Sequence, residues 1–219
     1  MTVEYSLNDQ NKKNRSELDR LRAKLNPEST ALIIVDMQKD FCCEGGVFHK
    51  RGFDIRPAQQ LAKRLNSFLK EARRILKHII HLQMMKRPEF TSPVVNELYG
   101  RINMKRSYDP AFAEPYEVIP QPGEVVIPKY KYSGFVSTYL DPFLRSKNIE
   151  TLILTGLATN VCVESTARDG FMREYFIVVP FDLTEGTSAE AKKWSLSNLD
   201  VFFGEVVPSK EILECWKSV

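Results

Sequence analysis

The sequence predicts an α/β fold built on a doubly wound, six-stranded parallel sheet flanked by helices. Three observations carry this. Short aliphatic runs such as Ala31-Leu-Ile-Ile-Val35 and Leu152-Ile-Leu-Thr155 lack the alternation of half-solvated strands, which marks strands buried on both faces. Amphipathic stretches of helical period separate them, as crossovers between parallel strands require. Turn chemistry such as Pro120-Gln-Pro-Gly123 punctuates the joins.

Residues 1 to 26 are polar, with Leu18, Leu21 and Leu25 at helical spacing. They read as an N-terminal arm ending in a short amphipathic helix, able to dock on its own domain or on a neighbouring subunit. Residues 27 to 219 read as one domain. Its first strand ends in Asp36, which places a carboxylate at the sheet edge where open α/β sheets bind ligands. A helix cap or a loop-solvating residue is the plainer role for such an Asp. The loop from Met37 to Phe53 follows, carrying Gln38, Asp40, Phe41, Cys42, Cys43, Gly45-Gly46 and His49. An amphipathic helix over 56 to 76 leads to a second strand, Ile79-Ile-His-Leu-Gln83.

From Met84 to Gln121 periodicity weakens, and a connection of this length usually covers a site. Glu124 to Lys129 forms the third strand, with Lys129 at its C-terminal end. Ser133-Gly-Phe opens a helix running to about Lys147. After the strand at 152 to 155, the stretch Thr155-Gly-Leu-Ala-Thr-Asn-Val-Cys162 turns into another helix, so Cys162 sits where backbone N–H groups are unpartnered and the helix dipole favours negative charge. Tyr175 to Pro180 gives a fifth strand, 187 to 199 a helix, and Val201 to Val206 a sixth strand.

Composition narrows the function. The chain is 43% hydrophobic and 27% charged, with a formal net charge of +3. Its pI of about 8.6 is too mild, and its charge too evenly spread, for nucleic acid. No apolar run approaches the roughly 18 residues of a membrane span, and no signal peptide opens the chain, so a cytoplasmic protein is expected. The four cysteines, Cys42, Cys43, Cys162 and Cys215, show no zinc spacing.

Asp36, Lys129 and Cys162 thus terminate or follow three parallel strands, whose ends share one rim. An acid, an amine and a thiol together suit nucleophilic chemistry. A Lys129 ammonium would lower the thiol pKa from about 8.5 and hold Asp36 ionised, and Asp36 would shuttle the thiol proton to a leaving amine. On this reading Cys162 labels rapidly with iodoacetamide at neutral pH. The three histidines are not needed.

Three segments, Ile33-Ile-Val-Asp-Met-Gln38, Ile127-Pro-Lys-Tyr-Lys-Tyr-Ser-Gly-Phe135 and Thr155-Gly-Leu-Ala-Thr-Asn-Val-Cys-Val-Glu-Ser-Thr166, resemble those of the isochorismatase-like cysteine hydrolases. Within that superfamily, Pro120-Gln-Pro-Gly-Glu, Tyr132-Ser-Gly-Phe and Arg168-Asp-Gly-Phe most resemble the ureidoacrylate amidohydrolases of pyrimidine catabolism. The resemblance implies a triad of Asp36 as base, Lys129 as electrostatic partner and Cys162 as nucleophile. It also implies a cis peptide between Leu157 and Ala158, with the Ala158 and Cys162 N–H groups forming an oxyanion hole.

Gln38, Phe41, Tyr132 and Asn160 are candidate substrate-binding residues, and Lys86, Arg87, Arg101, Lys105 and Arg106 are candidates to meet a substrate carboxylate. Nicotinamidases in the superfamily carry an Asp-x-His-x-x-His metal site. Here Asp40 and His49 lack that spacing, so neither metal nor other cofactor is expected. The expected activity is cleavage of a C–N bond in a small amide or ureide, with biuret another substrate to consider. A non-catalytic ligand-binding or scaffold role on the same fold is the alternative from a different class. The cysteine itself argues against the vinyl ether hydrolases of the superfamily, which lack it. The arm, Trp194, Trp216 and Phe202-Phe203 are candidate contacts of a homo-oligomer, a dimer or tetramer, although packing on their own domain serves equally.

Overall fold

In the computed structural model, residues 15–85, 88–90, 92–101 and 109–217 are described. The chain runs α1 (Arg15–Lys24), β1 (Thr30–Val35), α2 (Lys39–Cys42), α3 (Val47–Lys50), α4 (Arg56–Ile75) and β2 (His78–Met84). It continues through α5 (Pro93–Arg101), α6 (Pro110–Ala113), β3 (Val125–Lys129), α7 (Leu140–Ser146) and β4 (Thr151–Leu157). After α8 (Glu164–Phe171) come β5 (Phe176–Pro180), β6 (Thr184–Glu185), α9 (Ala189–Phe202), β7 (Glu205–Val207) and α10 (Ser209–Trp216).

Six strands lie in the order β3-β2-β1-β4-β5-β7, and the two-residue β6 pairs with β4 beside them. Every pairing between these strands is parallel. The β1 residues explain the sandwich. Leu32 and Ile34 join one core with Leu61, Leu65 and Leu69 of α4, while Ala31, Ile33 and Val35 join a second core with Leu144, Ala167 and Leu196 of α7, α8 and α9. A strand with apolar residues at every position can bury both faces. At the rim, β1 and β4 approach so closely that a Cβ on Gly156, at φ +97°, would stand 2.1 Å from the Val35 carbonyl oxygen. Only glycine fits there.

Two expected elements differ. Residues 133 to 139 are turns, and the helix begins only at Leu140. The side chains compete with the helix backbone: Ser133 Oγ accepts from Phe135 N (3.1 Å), and Thr138 Oγ1 donates to Gly134 O (2.5 Å) and accepts from Leu140 N (3.2 Å). The final strand is Glu205–Val207, because Val201 and Phe202 belong to α9. That helix closes where the Phe203 and Gly204 N–H groups both donate to Leu199 O.

The N-terminal helix lies on its own domain. Leu21 and Leu25 are buried in the α4 core, and Trp216 donates from Nε1 to Leu25 O at 3.0 Å while packing on Phe68. Trp216 is therefore interior, whereas Trp194 and Phe202 are each 64% exposed. No helix among the described residues is long and apolar enough to cross a membrane.

Candidate active site

The chain leaves β1 towards β2 and β3, and leaves β4 towards β5 and β7, so the gap between the C-terminal ends of β1 and β4 is the topological switch point. Asp36 follows β1 in the left-handed conformation, φ 51°, which Asp tolerates better than most residues. Its N–H donates to Leu82 O (2.9 Å) and its carbonyl accepts from Gln38 N (2.8 Å). These bonds fix the carboxylate over the rim. Lys129 ends β3, two strands away, and its long side chain reaches across β2 to put Nζ 2.8 Å from Asp36 Oδ2. The ammonium also donates to Lys131 O (3.3 Å) and Tyr132 O (3.2 Å), so its three protons have acceptors.

Cys162 lies in a single π-helical turn, Thr159–Val163, that joins β4 to α8. In it Val163 N donates to Ala158 O at 3.1 Å, a five-residue span. The preceding Leu157–Ala158 peptide bond is cis. Thr166 Oγ1 ties the turn to its neighbour, donating to Cys162 O (2.7 Å) and accepting from Gly134 N (3.0 Å).

Asp36, Lys129 and Cys162 are thus brought together out of water, at 1%, 0% and 6% exposure. Burial raises the Asp36 pKa, and the adjacent Lys129 ammonium only partly offsets it. For Lys129, burial works against the charged form, but attraction and hydrogen bonding to Asp36, with a smaller contribution from Cys162, outweigh it and the pKa is raised. The thiol departs from expectation. Burial first, and then the Asp36 carboxylate, push Cys162 upward, against the opposing pull of Lys129. Lys129 is held by Asp36, so these shifts favour the protonated thiol at Cys162, beside a carboxylate whose own pKa is raised. Rapid labelling at neutral pH is not expected of such a thiol.

A cavity of about 480 Å³ is lined by Asp36 and Cys162, with Lys129 buried behind Asp36. Phe41, Tyr132 and Asn160 line it. Asn160 is committed in both directions to Thr187, donating to its Oγ1 and accepting from its N–H at 3.0 Å, so it also shapes the wall. Gln38 does not line the cavity. It is buried behind the rim, where Nε2 donates to Met84 O (3.1 Å) and Ala113 O (2.8 Å) and Oε1 accepts from Met84 N (2.7 Å). Its position two residues after the acid hid this bracing role. Val94, Leu98 and Tyr99 of α5 close one side, as a long covering connection predicts.

The sequence reading missed Phe48, Arg51, Phe53, Tyr130 and Lys131 on the walls. Tyr130 and Lys131 flank Lys129 and were legible by adjacency, whereas nothing local signals Arg51. Of the cations proposed to meet a carboxylate, Arg101 is exposed at the end of α5 and does not line the cavity. Lys86, Arg87, Lys105 and Arg106 lie outside the described residues. Asp40 Oδ1 accepts from Val47 N (2.8 Å) and His49 Nδ1 from Gly45 N (3.3 Å), so both serve their loop. Among the described residues no group of three His, Cys, Asp or Glu side chains could hold a metal ion.

Comparison with known proteins agrees with this layout. Residues 30–211 match the isochorismatase domain family. A cysteine hydrolase from Pseudomonas syringae pv. phaseolicola is 30% identical with a TM-score of 0.78, over 89% of this chain and 95% of that one. The N-carbamoylsarcosine amidase of Thermoplasma acidophilum is 26% identical with a TM-score of 0.65, over 83% and 96%. A nicotinamidase from Staphylococcus aureus, 23% identical with a TM-score of 0.61 over 83% and 99%, shares the fold. The family match spans most of the chain and includes all three converging strand ends, and the chain accordingly belongs to the isochorismatase domain family, in the isochorismatase-like cysteine hydrolase superfamily.

Proposed function

We propose that this protein is a cysteine-dependent amidohydrolase that cleaves the C–N bond of a small linear amide or ureide. The observation that carries it is a buried thiol and carboxylate lining one cavity, with an ammonium paired to the carboxylate from behind. In the mechanism that follows, the Cys162 sulfur attacks the carbonyl carbon as its proton passes to Asp36. The N–H groups of Ala158 and Cys162, two residues that line the cavity, receive the oxyanion in this mechanism. Asp36 then delivers the proton to nitrogen, the C–N bond breaks, and an amine or ammonia departs. Water, deprotonated by Asp36, hydrolyses the thioester or thiocarbamate and restores the thiol. Lys129 stays an ammonium throughout and orients Asp36.

Motif likeness favours a ureidoacrylate-like or other N-carbamoyl substrate, in keeping with the amidase activity named for the Thermoplasma relative. A cytoplasmic homo-oligomer acting on a free metabolite is the setting that fits. The test is ammonia release from ureidoacrylate, biuret, N-carbamoylsarcosine, nicotinamide and simple aliphatic amides, with Cys162→Ala as control. Turnover that disappears in the control supports the assignment. Turnover retained in Cys162→Ala sinks it, and binding without turnover by the intact protein points to a ligand-binding role.

A further inference from the structure

We infer that the substrate is a terminal amide or ureide with a planar apolar body and a carboxylate at its far end, held by Arg51 and Lys131. This rests on the amidohydrolase reading above. The acid that must protonate the leaving nitrogen is Asp36, which is only 1% exposed, beside a Cys162 that is 6% exposed. A departing group at that closed end has to be small, so ammonia leaves and the body of the molecule remains on the carbonyl side, pointing to the mouth. Thiol and amide thus give thioester and ammonia, or thiol and ureide give thiocarbamate and ammonia, and water then gives the carboxylic or carbamic acid and the thiol.

The walls define that body. Phe41 and Phe48 meet edge to face at 5.0 Å, Phe48 and Phe53 at 5.3 Å, and Tyr130 stacks on Phe90 at 3.8 Å. These contacts hold the rings as a rigid apolar lining, suited to a flat ligand. At about 480 Å³ the cavity falls in the size class of drug-sized ligands, so a substrate of a few heavy atoms leaves most of this lining unused.

Charge defines the far end. Among the described residues three charged side chains line the cavity: Asp36, which is paired with Lys129, and the cations Arg51 and Lys131. Neither cation has an acidic side-chain partner among the described residues. The Arg51 guanidinium lies over the Phe53 ring at 5.2 Å, which seats it on the apolar wall. Lys131 belongs to the loop whose carbonyl oxygens grip Lys129. Two unneutralised cations beside an apolar wall select an anion, and Arg presents paired donors that match a carboxylate.

The experiment compares kcat/KM for 4-(carbamoylmethyl)benzoate, its uncharged analogue 4-methylphenylacetamide and the small anionic amide succinamate. The aryl carboxylate is expected to exceed both by about tenfold or more, and the Arg51→Gln/Lys131→Gln double variant to erase most of its advantage over the uncharged analogue, through KM rather than kcat. Equal use of the charged and uncharged aryl amides, or a preference that survives in the double variant, overturns the inference. Should no amide be turned over, calorimetry with Cys162→Ala protein decides. Binding of 4-(carbamoylmethyl)benzoate that is lost when Arg51→Gln and Lys131→Gln are added keeps the pocket assignment while the amidohydrolase reading falls. No binding overturns the pocket assignment.

Discussion

Lys129 Nζ lies 2.8 Å from Asp36 Oδ2, with the two side chains 0% and 1% exposed. Each charge depends on the other, because a lone buried charge costs several kcal/mol. Lys129→Met is therefore expected to lower stability by about 3 to 5 kcal/mol and to abolish turnover. Adding Asp36→Asn should restore much of the stability and, on the proposed mechanism, none of the activity, since the carboxylate assigned to move the proton is then gone. Urea unfolding of the three variants checks this. A Lys129→Met protein as stable as the parent would mean the pair is not buried as described.

The same pair acts on the Cys162 thiol. Burial and the Asp36 charge hold Cys162 in the thiol form well above the ordinary thiol range. Iodoacetamide labelling of Cys162, located by peptide mass, should be slow at pH 7 and accelerate only in strongly alkaline solution. Asp36→Asn removes the charge that raises the thiol and leaves Lys129 facing it, so its labelling profile should move to lower pH. A parent profile with its midpoint near 8 or below would contradict the thiol resting state.

Gln38 braces the rim rather than the substrate. Its amide satisfies the Met84 N–H and carbonyl and the Ala113 carbonyl from a buried position. Gln38→Ala strands these backbone groups, at roughly 1 to 3 kcal/mol for each one left unsatisfied. Thermal unfolding should show that loss. Activity should fall through kcat more than KM, because the Asp36 backbone is held by Gln38 N and by Leu82 of the strand that Gln38 secures. A change in KM alone would return Gln38 to the substrate pocket.

These residues also show what a sequence carries. The convergence of Asp36, Lys129 and Cys162 was legible because each ends or follows an apolar run, and parallel strands of that kind must share a rim. The cis Leu157–Ala158 bond was legible only through family resemblance, since no local pattern of Leu-Ala marks it. Gln38 and Arg51 were not legible in role. Whether a side chain two residues past the acid points into the cavity or behind it depends on the left-handed turn at Asp36, and Arg51 reaches the mouth only through the placement of α2 and α3. The helix expected from Ser133 failed because Ser and Thr side chains captured the backbone, a competition that propensity and periodicity do not count. The thiol pKa was misread for a related reason: helix position and cation proximity are visible in sequence, but depth of burial is not.

A last prediction concerns acid stability and lies on the far side of β2. His81 Nε2 is 2.8 Å from Glu124 Oε2, and Glu124 also takes Arg73 Nε at 2.7 Å and Gln121 N at 2.9 Å. Burial lowers His81 below its ordinary 6.5, although the Glu124 carboxylate opposes it. Burial works against the Glu124 carboxylate, but Arg73, the Gln121 N–H and His81 outweigh it and its pKa is lowered from 4.5. Both folded-state values are depressed, so both groups contribute stability above their unfolded pKa and lose it as pH falls through the folded one. The urea midpoint should therefore decline first below pH 6.5, from the histidine, and again below pH 4.5, from the glutamate. His78, likewise lowered by partial burial and by Lys147 and Lys77, adds to the first step. His81→Gln keeps a donor for Glu124 while removing the titration, so it should shrink the first step and spare the second. A midpoint that rises as pH falls from 7 to about 5 would show that His81 carries its proton in the folded protein, as an ion pair with Glu124 rather than as a neutral donor.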